Sequence, residues 1–278
     1  TNDKLSGIKI KNCVFADTHN EKHTNNNFIK NRRKKINIES LYESIKKGDR
    51  TSLSIGITLI ESQNNLDRKL ANNLINKCLS QKQEQTLRVG ITGVPGVGKS
   101  TFIESLGNKL ANNGHKIAVL AIDPSSRISK GSILGDKTRM AKLVNQDNAF
   151  IRPSANRTAL GGVGQYTRET IILCEAAGYE IIFIETVGVG QNEISVSEMV
   201  DFFLLLKLPG AGDGLQGIKR GVIEMADAII INKADGDNKI PAKIALNDFK
   251  NALHLYKEKE SLCCLLYTSD AADEGSSV

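Results

Sequence analysis

Polar positions dominate the first part of the chain. Residues 1–37 are rich in asparagine and basic side chains and carry no apolar periodicity, which predicts a flexible basic leader. From Ile38 the pattern changes. Leu41 and Ile45, then Leu53, Ile57, Leu59 and Ile60, then Leu66, Leu70, Leu74, Ile75 and Leu79 recur at three- and four-residue steps. That spacing is the apolar stripe of two or three amphipathic helices, a helical extension over 38–85 with Gly48-Asp49 punctuating the first pair. Its expected destination is the neighbouring domain. From Leu87 the pattern changes again, to short continuous apolar runs. Residues 87–92, 116–122, 180–184, 201–208 and 228–231 read as buried strands, and 149–152 as a short edge strand. Residues 100–113, 167–177 and 244–258 read as helices between and after them. Strands of this kind alternating with helices predict an α/β fold over 86–262, with a largely parallel sheet covered by helices on both faces.

In such sheets ligands gather at the carboxyl ends of the strands. Asp123, Glu185, residues 209–214 and residues 232–235 each follow an apolar run, so they are expected around one site. The last segment fits none of this. Residues 263–278 have no amphipathic logic and look like translated sequencing-adaptor DNA, a non-native tail. The natural chain is therefore expected to continue past about residue 262. A first residue Thr1 fits a fragment or a processed chain.

Composition narrows the class. The 278 residues, 40% apolar and 24% charged, suit one α/β core with a smaller appendage. No apolar run reaches about 18 residues and no secretory leader is recognisable, so no membrane partner is indicated. The net charge of +6 gathers early, at Lys30, Arg32, Arg33, Lys34 and Lys35. No aromatic side chains interleave with that knot, which favours a solvated tail over a nucleic-acid surface. Cys13, Cys78, Cys174, Cys263 and Cys264 include no C-x-x-C pair. Neither a disulfide framework nor a closed zinc site is supported, and the expected compartment is reducing: the cytoplasm, or the mitochondrial matrix in a eukaryote.

Two motifs carry chemistry. Gly93-Val94-Pro95-Gly96-Val97-Gly98-Lys99-Ser100, followed by Thr101, reads G-x-x-x-x-G-K-S between a strand and a helix. It predicts a phosphate-binding loop whose amides face an anion, with Lys99 reaching the β- and γ-phosphates and the Ser100 hydroxyl on Mg²⁺. Asn232-Lys233-Ala234-Asp235, after a buried strand, reads N-K-x-D. The Asp235 carboxylate can accept from guanine N1–H and N2–H₂, donors that adenine does not present in that arrangement, so GTP and GDP are the expected nucleotides. Asp123 and Glu185, at strand ends, are the candidate carboxylates beside Mg²⁺. Asp123 also suits a turn before Pro124 and Glu185 a helix cap; their placement favours the metal. Asp136 suits a Gly135-Asp136 turn equally well. The backbone N–H of Gly188 is placed to approach a γ-phosphate.

Together with Asp123-Pro124-Ser125-Ser126, the run from Gly131 to Met140, Phe150-Ile151-Arg152-Pro153, Cys174-Glu175-Ala176-Ala177-Gly178, Glu185-Thr186-Val187-Gly188-Val189-Gly190-Gln191 and Leu215-Gln216-Gly217-Ile218-Lys219, these motifs resemble one family. It is the G-protein chaperones of methylmalonyl-CoA mutase, the MeaB/ArgK/MMAA type of P-loop GTPase, and the likeness runs from about Ile38 to about Lys259. The resemblance implies a slow, partner-stimulated GTPase that protects an adenosylcobalamin-dependent methylmalonyl-CoA mutase and gates its cofactor loading. It puts Asp123 and Asp136 in a first switch and Glu185 at the Walker-B position. It puts Asp213, Gln216 and Lys219 in a third switch facing the mutase, with Lys219 a candidate catalytic cation. It also implies a homodimer built through a C-terminal arm. Gly214, where the family has an acidic residue, and Lys130, where it has glycine, depart from the pattern, and the second guanine-contacting loop is not found. A P-loop kinase of the transport-system-kinase type and a nickel or cobalt metallochaperone GTPase are the other classes that the motifs admit; the second would be expected to carry a Cys/His cluster near the switches.

Overall fold

The computed structural model describes residues 36–80, 85–123, 140–155, 162–186, 188, 193–209, 220–253 and 267–269. The chain divides into two units, 1–38 and 39–278. The expected leader lies outside the described residues apart from Ile36 and Asn37, and the following concerns the second unit.

Three helices come first: α1 (Ile38–Lys46), α2 (Arg50–Ile60) and α3 (Asn65–Leu79). Local chemistry starts the second and third. The Asp49 side chain accepts from Ser52 N–H and the Asn64 side chain from Leu66 N–H, each at 2.8 Å, satisfying amides that have no partner within the helix. The apolar stripe docks as expected on the helix α6 (Gly162–Ala176). The crossing is tight at Gly56, where a Cβ would lie 3.0 Å from Leu173, 3.2 Å from Ile45 and 3.2 Å from Leu74. One part of the stripe differs from its prediction. Leu66 and Leu79 face solvent, and α3 instead buries Ala71, Leu74, Ile75 and Cys78 together with Asp67. These five positions share the face that Leu74 and Ile75 define, and Leu66 and Leu79 fall off it. The buried Asp67 carboxylate accepts from the Ser62 hydroxyl at 2.5 Å.

The sheet contains β1 (Leu87–Gly93), β2 (Ile117–Asp123), β3 (Ala149–Ala155), β4 (Ile181–Glu185), β5 (Phe202–Lys207), β6 (Ala228–Asn232) and β7 (Tyr267–Ser269). Their order is β3-β2-β4-β1-β5-β6-β7, and every pairing is parallel. Helix α4 (Lys99–Asn112) follows β1. One face of the sheet (Val89, Ile91, Val119, Phe183, Leu204, Leu206) packs on Ile103 and Ala111 of α4. Short α5 (Ala141–Val144), α7 (Glu193–Ser197) and α8 (Arg220–Met225) and the longer α9 (Lys239–Leu253) complete the described helices. Helix α9 begins five residues before the predicted start: the buried residue of its first turn is the small Ala242, while Ile240 and Ile244 are exposed. Pro241 stands in its first turn, where no intrahelical N–H is required. Residues 267–269 fall in the segment read as a non-native tail, yet they form β7 and pair with residues 230–232 of β6.

Candidate functional site

Parallel strands put all their carboxyl ends on one edge, and the motif residues sit there. Ile91 of β1 is in register with Glu185 of β4, and Ala121 of β2 is in register with the same Glu185. Gly93 at the end of β1 is in register with Leu206 of β5, and β6 ends on Asn232. The phosphate-binding loop therefore has a carboxylate on one side and the guanine motif on the other.

The loop is held by its own lysine. Lys99, only 7% exposed at the start of α4, donates to the Gly93 carbonyl at 2.7 Å and the Val94 carbonyl at 3.2 Å. An ammonium has three N–H donors, so one remains for a phosphate oxygen. Burial holds the Lys99 pKa below the ordinary lysine value, and the nearby carboxylates of Glu185 and Glu193 oppose that shift. Beside it, the Ser100 hydroxyl donates to Glu185 Oε1 at 2.8 Å. This leaves the serine lone pairs open to a cation while its proton rests on the carboxylate. A hydroxyl oxygen and a carboxylate at hydrogen-bond distance are the kind of hard oxygen donors that Mg²⁺ takes along with several waters, so these two residues fit the ion. Among the described residues no group of three or more His, Cys, Asp or Glu side chains could hold a metal.

The Glu185 strand is fastened to the loop strand directly beyond the carboxylate. Thr186 N–H donates to the Ile91 carbonyl at 3.0 Å, and its hydroxyl donates to the Thr92 hydroxyl at 2.8 Å. Gly188 then turns back over the loop at φ +80°; a Cβ there would lie 1.8 Å from the Gly93 carbonyl oxygen and 3.3 Å from Lys99 Nζ. Only glycine fits that approach.

The guanine motif reaches the same loop from the other side. Asn232, 3% exposed, donates through Nδ2 to the Val97 carbonyl at 2.9 Å, and Lys233 Nζ donates to the Gly96 carbonyl at 2.9 Å. Gly98 leaves room for this arrangement: at φ +98° it would place a Cβ 2.7 Å from Asn232 Nδ2. Asp235 is half-buried and precedes the short turn of 3₁₀-helix Gly236–Asn238. Of the remaining loop residues, Val97 is buried in the core, Val94 packs against it, and Pro95, Gly96 and Thr101 are exposed. Asp123 closes β2 two residues beyond the register partner of Glu185, although its side chain is not described. Asp136, residues 210–214 and Lys219 lie outside the described residues.

Sequence reasoning missed Thr92, Thr186 and Glu193. The threonines had no signal beyond flanking the motifs. Glu193 stands two residues past the Glu185–Gln191 run, and its charge acts on Lys99.

Comparison with known proteins places this geometry. The family model described as methylmalonyl Co-A mutase-associated GTPase MeaB matches residues 53–277. The chain belongs to the MeaB family. Among curated relatives of the family, a mouse protein named methylmalonic aciduria type A homolog, mitochondrial, is 49% identical over 81% of this chain and 56% of its own length. GTPase ArgK of Escherichia coli K12 is 48% identical over 81% of this chain and 68% of its own length. The chain thus spans little more than half of the mouse relative. A crystal structure of a LAO/AO transport system kinase superposes with TM-score 0.69 at 38% identity, covering 84% of this chain and 70% of that one. It shares the P-loop fold with its parallel sheet. No described helix is long and apolar enough to cross a membrane.

Proposed function

We propose that this chain is a GTP-binding, GTP-hydrolysing chaperone that gates cofactor loading of an adenosylcobalamin-dependent methylmalonyl-CoA mutase. One observation carries the reading. The P-loop, the Glu185 carboxylate and the N-K-x-D motif are joined by side-chain hydrogen bonds within a chain matched across residues 53–277 by a mutase-associated GTPase family.

Phosphoryl transfer to water is chiefly positioning and charge stabilisation. Lys99 supplies the buried cation facing the β- and γ-phosphates. Ser100 and Glu185, with Asp123 and Asp136 as further candidates, would hold Mg²⁺, which supplies charge neutralisation on the phosphate oxygens when bound. Gly188 presents its amide on the γ-phosphate side, and Glu185 orients the Ser100 hydroxyl. Asp235 reads guanine by accepting two N–H donors, and an adenine would leave that carboxylate unmatched. Lys219 is the cation that a partner would bring into place. The biological output is then a change of switch conformation read by the mutase, with a homodimer as the working assembly.

The test is phosphate release from Mg-GTP and from Mg-ATP, with and without cobalamin-loaded mutase. The reading expects slow release from GTP, a severalfold rise with mutase, and none from ATP. An unchanged rate with mutase removes the client while leaving the GTPase. Preference for ATP overturns the role of Asp235. Transfer of phosphate to an acceptor rather than to water makes the protein a kinase.

A further inference from the structure

At the opposite edge of the sheet, where β2, β3 and β4 begin, the α1–α2 turn meets the G domain around a cavity of about 330 Å³. That is the lower end of the range for small-molecule pockets, roughly 300–1,000 Å³. Its lining is mainly donors. Arg50 comes from the helical extension, Lys116 from the start of β2, Tyr179 from the turn before β4, and Asn145 and Gln146 from the turn before β3; Asp147 is the one carboxylate.

Arg50 is half-buried and anchored, whereas Lys116 is exposed. Lys116 Nζ has no hydrogen-bond or ion-pair partner among the described residues and lies about 4 Å from where a Cβ of Gly48 or Gly178 would be. These glycines end α1 and α6, so the ammonium stands between the negative ends of two helices that belong to different parts of the protein. Arg50 donates through one guanidinium nitrogen to the Gln146 carbonyl at 2.5 Å and also hydrogen-bonds the Tyr179 hydroxyl oxygen, and the guanidinium carries further N–H donors. Burial pushes the Tyr179 phenol up to about 12, against the influence of Arg50, so its hydroxyl keeps its proton at neutral pH. Outside the lining, the Glu180 carboxylate is engaged by the His115 ring at 2.7 Å and also interacts with the Lys116 charge.

We infer that this cavity is a second anion site, distinct from the P-loop, that takes inorganic phosphate or the phosphate group of a small metabolite between Arg50, Lys116 and Tyr179. Two cations and a phenol O–H suit the tetrahedral oxygens of a phosphate, and charge-assisted hydrogen bonds are the stronger kind. Because Arg50 and Gly48 belong to the extension and Lys116 and Tyr179 to the G domain, an occupied site would tighten the seam between them.

The experiment titrates inorganic phosphate, followed by calorimetry and phosphorus-31 NMR, into protein saturated with a Mg-bound non-hydrolysable GTP analogue, so that the β- and γ-phosphate positions of the P-loop are both filled. Wild-type protein should bind saturably. Lys116→Met should weaken binding by about tenfold or more, as loss of one charge-assisted contact implies, and Lys116→Arg should retain it. Arg50→Gln should weaken it likewise, and serves if Lys116→Met fails to fold. Phosphate should raise the melting temperature of wild type and not of Lys116→Met. Absence of saturable binding, or binding unchanged in both Lys116→Met and Arg50→Gln, overturns the site. So does a melting temperature that Lys116→Met lowers equally with and without phosphate, for then the lysine serves only the two helix ends.

Discussion

Replacing Gly188 by alanine should separate GTP from GDP. The added methyl would start 1.8 Å from the Gly93 carbonyl oxygen and 3.3 Å from Lys99 Nζ. Real Cβ atoms essentially never come within 3.0 Å of such an atom, so the two backbones must part by more than an ångström. Gly93 has little freedom to yield, since a Cβ built on it would sit 2.5 Å from the Leu206 carbonyl across the sheet. The movement therefore falls on the 188 turn. Two costs follow. Holding alanine at φ +80° disfavours the native turn by about 1–2 kcal/mol. The displaced Gly188 amide also loses its approach to a γ-phosphate, a charge-assisted hydrogen bond worth roughly 1.5–3 kcal/mol.

The first cost is confined mostly to a half-exposed turn, so global stability should fall by no more than about 2 kcal/mol in urea titrations. The second falls on GTP alone, because GDP has no γ-phosphate. Fluorescent-nucleotide titrations should show GTP weakened by about 10- to 100-fold and GDP within about threefold of wild type. Equal loss for both nucleotides would place the damage in the β-phosphate cradle, and no loss for either would remove Gly188 from the γ-phosphate side.

Other perturbations test other links. Lys207 is 3% exposed under the Phe249 ring, and burial lowers its pKa from 10.5 to about 8. The unfolded chain therefore holds more protons between those values, so its contribution to stability rises with pH across that window, by about 3 kcal/mol at most. Lys207→Met should abolish the rise and stabilise the protein at neutral pH, measured as urea midpoints at several pH values. Glu61 and Arg152, each about a fifth exposed, pair at 2.5 Å between the extension and edge strand β3. Glu61→Gln should cost about 1–2 kcal/mol in urea unfolding, and a double-mutant cycle with Arg152→Met should recover much of it. Asp235→Ala should erase the preference for GTP over ATP in competition titrations while leaving the fold intact, because Asp235 is only half-buried.

What was legible in the sequence was what local chemistry decides. The P-loop needs glycines and a lysine at fixed spacing, and that spacing alone placed Lys99 and Ser100 at the start of the helix that follows β1. The apolar runs at 181–185, 202–207 and 228–232 are buried strands because parallel sheets hide both faces. The order β3-β2-β4-β1-β5-β6-β7 was not legible, since no residue in a strand states which strand it lies against. Asp67 and Lys207 contradict their own hydropathy, and tertiary partners, a serine hydroxyl and an aromatic ring, make their burial tolerable. The contact of Ser100 with Glu185 spans 85 positions; the motifs grouped the two as neighbours of one Mg²⁺, but not as directly hydrogen-bonded partners.

The site has one further property that neither motif shows alone. The loop that would read the base and the loop that would cradle the phosphates are not independent supports. Asn232 and Lys233 donate to the Val97 and Gly96 carbonyls, and the Lys233 backbone sits at φ 57°, a conformation that non-glycine residues seldom adopt. A side chain holds that conformation only where its surroundings fix it, and here the lysine's bond to Gly96 is part of the fixing. Loosening either loop must therefore loosen the other. Asn232→Ala would release the Val97 carbonyl from the buried amide that now satisfies it, so its damage extends to the phosphate cradle. Affinity for guanosine triphosphate should then fall together with affinity for inorganic pyrophosphate, which has no base to be read, whereas Asp235→Ala should leave pyrophosphate binding unchanged. A pyrophosphate affinity untouched by Asn232→Ala would show that the two loops are merely adjacent.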